Sequence, residues 1–183
     1  TMKSNLRSRL EKANHTWPEH MSKWGGWIDK QLDEGTGYFR VHKDEDRWWL
    51  IDPDGYYFWS AGIDCIRVDT TADYYLLEDA LTWAPSKEGD YKDMFSMRGN
   101  HPHINYLAAN FIKTFGAEGW RSTWAKIALD ELTKLRCNTV GNWSEWEYAS
   151  KAGFPYVRPM SFRPSRVNLL YRDFPDVYDT AFE

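Results

Sequence analysis

Three carboxylates, Asp64, Glu145 and Glu147, fall where the sequence pattern places a strand end and a helix start. A pair of carboxyl groups can hydrolyse a sugar acetal when about 5 to 5.5 Å apart (retaining) or about 6.5 to 9.5 Å apart (inverting). On adjacent strand ends Asp64 and Glu145 would come within that range. Against this use, Glu145 and Glu147 lie in or near the first turn of a predicted helix, where the dipole alone favours acidic side chains. No catalytic residue is therefore assigned. Asp64, Asn142 and Trp143 together offer an acceptor, an amide with donor and acceptor, and a flat apolar face, the mixture that a hydroxylated ring requires. Each also has a purely structural use: Asp64 pairing with Arg67, Asn142 satisfying loop backbone, Trp143 packing on the neighbouring helix. Arg158, if it points inward from its strand, needs an anion, and Asp64 is the candidate.

Other chemistries find less support. His101 and His103, two apart around Pro102, could hold a metal, but no third ligand stands at a recognisable spacing, so a loop or capping role is expected and no metal is assigned. No Gly-x-Ser-x-Gly elbow is present, and neither a phosphate loop nor a nucleotide fingerprint occurs, so no cofactor is expected.

The stretch that organises these residues is 47–67, RWWLIDPDGYYFWSAGIDCIR. Two aromatic-rich apolar runs flank Asp52-Pro53-Asp54-Gly55, where proline sets φ at the second turn position and glycine closes the fourth, giving a tight hairpin. The second run stays apolar on both faces, as a doubly buried strand does, then turns polar at Asp64 and Arg67. Upstream, YFRVHK alternates and reaches RWWLID through the polar Asp44-Glu45-Asp46 turn, a second hairpin. Residues 1–37 read as an N-terminal wrap, with a basic helical pattern and then the glycines of Trp24-Gly25-Gly26-Trp27.

Downstream, residues 68–116 contain two expected helices, over 71–83 and near 104–115, joined by a polar loop. Residues 117–136 form the clearest helix, with Trp120, Trp124, Ile127, Ala128, Leu132 and Leu135 on one face. Then come a short strand at 137–141, a helix over EWEYASKA stopped by Gly153, and a strand over 155–160. Strand, helix, strand, helix, strand argues for parallel strands with right-handed crossovers, whose functional groups gather at the carboxyl ends. Asp64, Asn142 and the segment after Met160 would share that rim. Asp179 is a candidate cap for a helix entered at 180–183.

The bulk numbers fit one soluble domain: 183 residues, 42% apolar and 27% charged. A net charge of −4 with scattered basic residues argues against nucleic acid, and the apolar runs are too short to span a bilayer. Cys65 and Cys137 are expected to be reduced and buried. Eleven Trp serve either packing or sugar platforms.

At this point the string RWWLIDPDGYYFWSAGID, preceded by GTGYFR and followed downstream by LRCNTVGNWSEWEYASKAGFPYV, resembles the start of the catalytic barrel in glycoside hydrolase family 50, the β-agarases of clan A. The resemblance covers roughly residues 24–183. It implies an α/β fold: a partial (β/α)8 TIM barrel of about three strands (56–64, 137–142 and 155–160), preceded by an N-terminal β-hairpin segment. The domain division that follows is a wrap at 1–37, then hairpin and partial barrel at 38–183, with an insertion around 68–116 at the catalytic face. It further implies retaining hydrolysis of β-glycosidic bonds in agarose-type galactans by two glutamates after the fourth and seventh strands, which 183 residues do not reach. The expected partners are a polysaccharide or oligosaccharide and the remaining barrel half, in the same or a second chain, and the expected setting is secreted or periplasmic. A β-galactosidase-like clan A enzyme and a non-catalytic carbohydrate-binding domain stay open as alternatives.

Overall fold

The structure is a computed structural model that describes residues 1–159, 169–171 and 174–180. Helix α1 (Met2–Lys12) is capped by Thr1, whose hydroxyl oxygen accepts the Ser4 N–H. Its Leu6 and Leu10 lie half-buried on the core.

Four strands follow as an antiparallel sheet: β1 (Trp27–Gln31), β2 (Arg40–Lys43), β3 (Trp48–Ile51) and β4 (Tyr56–Phe58), ordered β1-β4-β3-β2. Both expected hairpins are present. At the β2–β3 turn the Asp44 carboxylate accepts the N–H groups of Asp46 and Arg47. At the β3–β4 turn Gly55 donates its N–H to the Asp52 carbonyl at 3.0 Å, with φ at +90°. A Cβ on Gly55 would lie 2.0 Å from the Asp33 carbonyl oxygen, so only glycine fits. Asp52 is wholly buried because its carboxylate is fully used: it accepts the N–H groups of Asp54 and Tyr56 and, at 2.6 Å, the Ser22 hydroxyl.

The run 56–64 is not a single barrel strand. β4 belongs to the antiparallel sheet, and the chain re-enters a sheet only at β5 (Gly62–Ile63). The break is held by Asn138, 3% exposed. Its Nδ2 donates to the carbonyls of Gly25 and Trp59 at 2.8 and 3.0 Å, and its Oδ1 accepts the Ala61 N–H at 2.9 Å. These bonds replace the ladder that a continuous strand would have made.

Between β5 and the next parallel strand the chain makes a second antiparallel sheet: β6 (Ala72–Asp73), β7 (Phe95–Arg98) and β8 (His101–Ile104), ordered β6-β8-β7. The helix expected over 71–83 is absent. Asp73 takes the Tyr75 N–H at 2.8 Å and Leu76 adopts φ +58°, which leaves only a 3-10 turn at Glu78–Ala80. His101 and His103 lie on strand β8, not in a loop.

Helix α2 (Tyr106–Phe115) starts at Asn105, whose side chain accepts the Ala108 N–H, and α3 (Trp120–Lys134) packs on it. Val68, Ala108, Phe111, Ile112, Trp120, Trp124 and Ile127 make the larger core. Leu129 and Leu132 of α3 join Val140, Ala149 and Phe154 in a second cluster. Leu135 departs from the expected face, being 64% exposed, because α3 closes at Lys134 and Arg136 turns with φ +59°. β9 (Thr139–Val140) pairs in parallel with β5, and after α4 (Trp146–Lys151) Tyr156 bridges Val140, also in parallel. The result is a mixed α/β fragment with small antiparallel sheets and three parallel segments, and no closed barrel among the described residues.

Two short strands, β10 (Leu169–Tyr171) and β11 (Phe174–Pro175), pair antiparallel near the end. Met160 of the third expected strand and residues 181–183 of the expected terminal helix lie outside the described residues. Cys65 is exposed rather than buried, since it sits in a left-handed turn (φ +60°) beyond β5; it and Cys137 are free thiols.

Candidate functional site

Strand pairing brings Asp64 and Asn142 together. β5 ends at Ile63 and β9 at Val140, which are directly paired, so the next residues leave the sheet side by side. The Asn142 N–H donates to Asp64 Oδ1 at 2.7 Å, and the Cys65 N–H donates to the Asn142 carbonyl at 2.9 Å. A Cβ on Gly141 would lie 2.1 Å from Asp64 Oδ1 and 2.9 Å from the Ile63 carbonyl oxygen, so a side chain there would displace the Asp64 carboxylate. The Asn142 side-chain oxygen accepts the Trp143 N–H at 3.0 Å and helps hold Trp143 at φ +55°. Trp143 is 63% exposed. The rim thus presents an exposed carboxylate with Oδ1 engaged, an amide nitrogen and an open aromatic face.

Beside this rim the loop after Asp64 is stitched to the residues after Trp143. The Ile66 N–H donates to the Ser144 hydroxyl oxygen at 3.0 Å, the Glu145 N–H to the Ile66 carbonyl and the Val68 N–H to Glu145 Oε1, both at 2.9 Å. Asn105 Nδ2 donates to the Val68 carbonyl, and Arg121 stands 3.6 Å from Glu145 Oε2. Asp64 and Glu145 therefore both serve as acceptors for backbone N–H groups. Glu147 lies exposed in the first turn of α4.

The two arginines go elsewhere. Arg67 does not meet Asp64; its Nε stands 2.9 Å from Asp69 Oδ1. Arg158 likewise does not pair with Asp64, and its guanidinium lies 4.4 Å from the ring centroid of Trp146, which is stacked on Tyr156. Sequence reasoning missed Ser144, Asn105 and Asn138, the three side chains that fix the rim. A polar residue inside the apolar CNTV pattern was the available signal for Asn138, since a buried amide must be satisfied.

In the insertion, the Tyr75 N–H and then His101 hold the Asp73 carboxyl below the usual carboxylate range, against the opposing effect of desolvation. No group of three or more His, Cys, Asp or Glu side chains among the described residues has metal-holding geometry, and no described helix is long and apolar enough to cross a membrane.

The described residues thus make a mixed α/β fragment whose parallel strand ends carry a carboxylate, an amide and an exposed tryptophan. Comparison with known proteins agrees on the β-agarases. No family model matches the chain. It is 25% identical over 165 residues to β-agarase B of Vibrio sp. strain JT0107, covering 74% of this chain and 17% of that protein. The solved structure of PfGH50B superposes with a TM-score of 0.68 at 25% identity, over 85% of this chain and 27% of that one. The agarase AgWH50C superposes with a TM-score of 0.69 over 99% of this chain and 30% of its own; at 22% identity this bears on the fold alone. The resemblance to the glycoside hydrolase family 50 β-agarases thus holds as a partial match, spanning a small fraction of the length of those chains.

Proposed function

We propose that this chain forms the opening part of the catalytic barrel of a β-agarase-like glycoside hydrolase, and that the rim at Asp64, Asn142 and Trp143 contacts an agarose-type galactan. The parallel joining of β5 to β9, which sets Asp64 against Asn142 beside an exposed Trp143, carries the reading. The Trp143 face takes the apolar side of a galactose ring, while Asp64 Oδ2 accepts from a sugar hydroxyl and Asn142 Nδ2 donates to one. Hydrolysis is retaining, with the two catalytic glutamates supplied by barrel segments other than residues 1–183. In this reading residues 38–183 are hairpin and partial barrel, with 68–116 inserted at the strand-end face, and the 1–37 wrap adds α1 and the strand β1 that pairs with β4. Arg67, held by Asp69, and Arg158, lying over Trp146, are further candidate contacts.

The test is the protein as its native source produces it: its intact mass, and its action on agarose. A mass well above 21.6 kDa with release of neoagaro-oligosaccharides of retained configuration is expected. Action confined to simple β-galactosides removes the agarase part. Saturable oligosaccharide binding without turnover at 21.6 kDa favours the second reading, a non-catalytic binding domain, for which the open indole of Trp143 is the specific observation.

A further inference from the structure

The insertion sheet has two faces. Ile104 of β8 is buried and pairs with Ala72 on one side and Phe95 on the other, and the Phe95 ring meets the buried Tyr74. The outer face is polar. Side chains two apart on a strand share a face, and directly opposed residues do too, with Cβ atoms about 4.5–5.5 Å apart. His101 and His103 of β8 therefore stand side by side, Asp73 of β6 opposes His103, and Ser96 and Arg98 of β7 oppose His103 and His101.

The hydrogen bonding on this face resembles the outer shell of a metal site. Asp73 Oδ2 and His101 Nδ1 are 2.6 Å apart. Nδ1 of His101 is thus engaged, and Nε2 is the ring nitrogen of this exposed imidazole left for another partner. A carboxylate behind a histidine is the usual support for a metal-ligating imidazole: it fixes tautomer and ring orientation and raises ligand basicity. On the neighbouring His103, Nδ1 is buried and unpartnered, leaving Nε2 as its other ring nitrogen. We propose that His101 and His103 chelate a divalent transition ion of the zinc, copper or nickel class through their two Nε2 atoms, with Asp73 as the orienting carboxylate. Two imidazoles select such ions over calcium and magnesium, which take oxygen ligands. With two protein ligands, water completes the coordination sphere. Arg98 is the opposing charge on the face, and its guanidinium is bound to Thr71 Oγ1 at 2.9 Å. Tyr75, whose ring lies 5.0 Å from that of His101, forms one wall.

Calorimetric titration of the protein with zinc chloride tests this, using H101A, H103A, D73N and R98A. H20A is the control, because His20 also pairs with an aspartate, Asp29. One saturable site is expected in wild type and H20A, lost in H101A and in H103A, and weakened about 10- to 100-fold in D73N. R98A should bind at least as tightly as wild type. Ring-nitrogen NMR separates ligation from a fold effect, since Nε2 of His101 should shift on zinc addition while backbone amides outside the insertion stay in place. Absence of saturable uptake, or H101A and H103A binding as wild type does, overturns the proposal.

Discussion

Asn138 is the residue on which the junction between the two kinds of sheet depends. Replacing it with alanine strands the buried Gly25 carbonyl, a group costing about 1–3 kcal/mol when left unpaired, and frees the part-buried Trp59 carbonyl and Ala61 N–H, which water can partly satisfy. N138A should therefore lose about 1–3 kcal/mol, read as a lower urea midpoint at unchanged slope. Trp143 behaves oppositely: being mostly exposed, it can become alanine within about 0.5 kcal/mol of wild-type stability, so any loss of ligand binding is a loss of contact. Asp130 gives the pH dependence. Burial pushes its carboxyl up, but the Asn14 N–H and the Lys134 ammonium more than offset this and hold it below the ordinary value. A lowered folded pKa contributes stability above the unfolded value, and that stability is lost as pH falls through the folded one. Thermal denaturation should show stability falling below about pH 4, with a shallower fall in D130N. At this scale the sequence exposed which polar groups cluster, and much less of how they are used. Asp64 was legible as a strand-end carboxylate, but its bond to the Asn142 N–H depends on a register that only the parallel pairing of β5 and β9 defines.

Among the elements, those with purely local causes were readable. The 52–55 turn follows from proline and glycine, α2 and α3 from their apolar spacing, and the end of α4 from Gly153. Elements fixed by distant partners were not. TADYYLLEDALTW carries helix-compatible residues, yet the N–H of Tyr75 goes to Asp73 and the segment pairs with β8, some thirty residues away. Similarly the run 56–64 reads as one strand, while Asn138, far downstream, divides it. The brace at Glu145 is likewise tertiary and gives a prediction for the element it holds. E145Q keeps an acceptor for the Val68 N–H but loses the charge facing Arg121, whereas E145A loses both. Hydrogen exchange at Val68 should therefore quicken about tenfold or more in E145A and much less in E145Q, following a loss of about 1.5–3 kcal/mol for a hydrogen bond to a charged group. Equal exchange in all three proteins would mean that Glu145 does not hold the loop.

At the scale of the molecule, an antiparallel sheet, an inserted sheet and three parallel segments are joined through one small set of polar side chains, and the strand ends they fix form the surface assigned to the galactan. That assignment is tested most directly by isothermal titration of neoagarohexaose into the protein and into its W143A variant. The account predicts saturable binding that weakens at least about tenfold, or about 1.4 kcal/mol, in W143A while the melting temperature stays unchanged. Equal affinity in the two proteins, or no saturable binding to either, would contradict it.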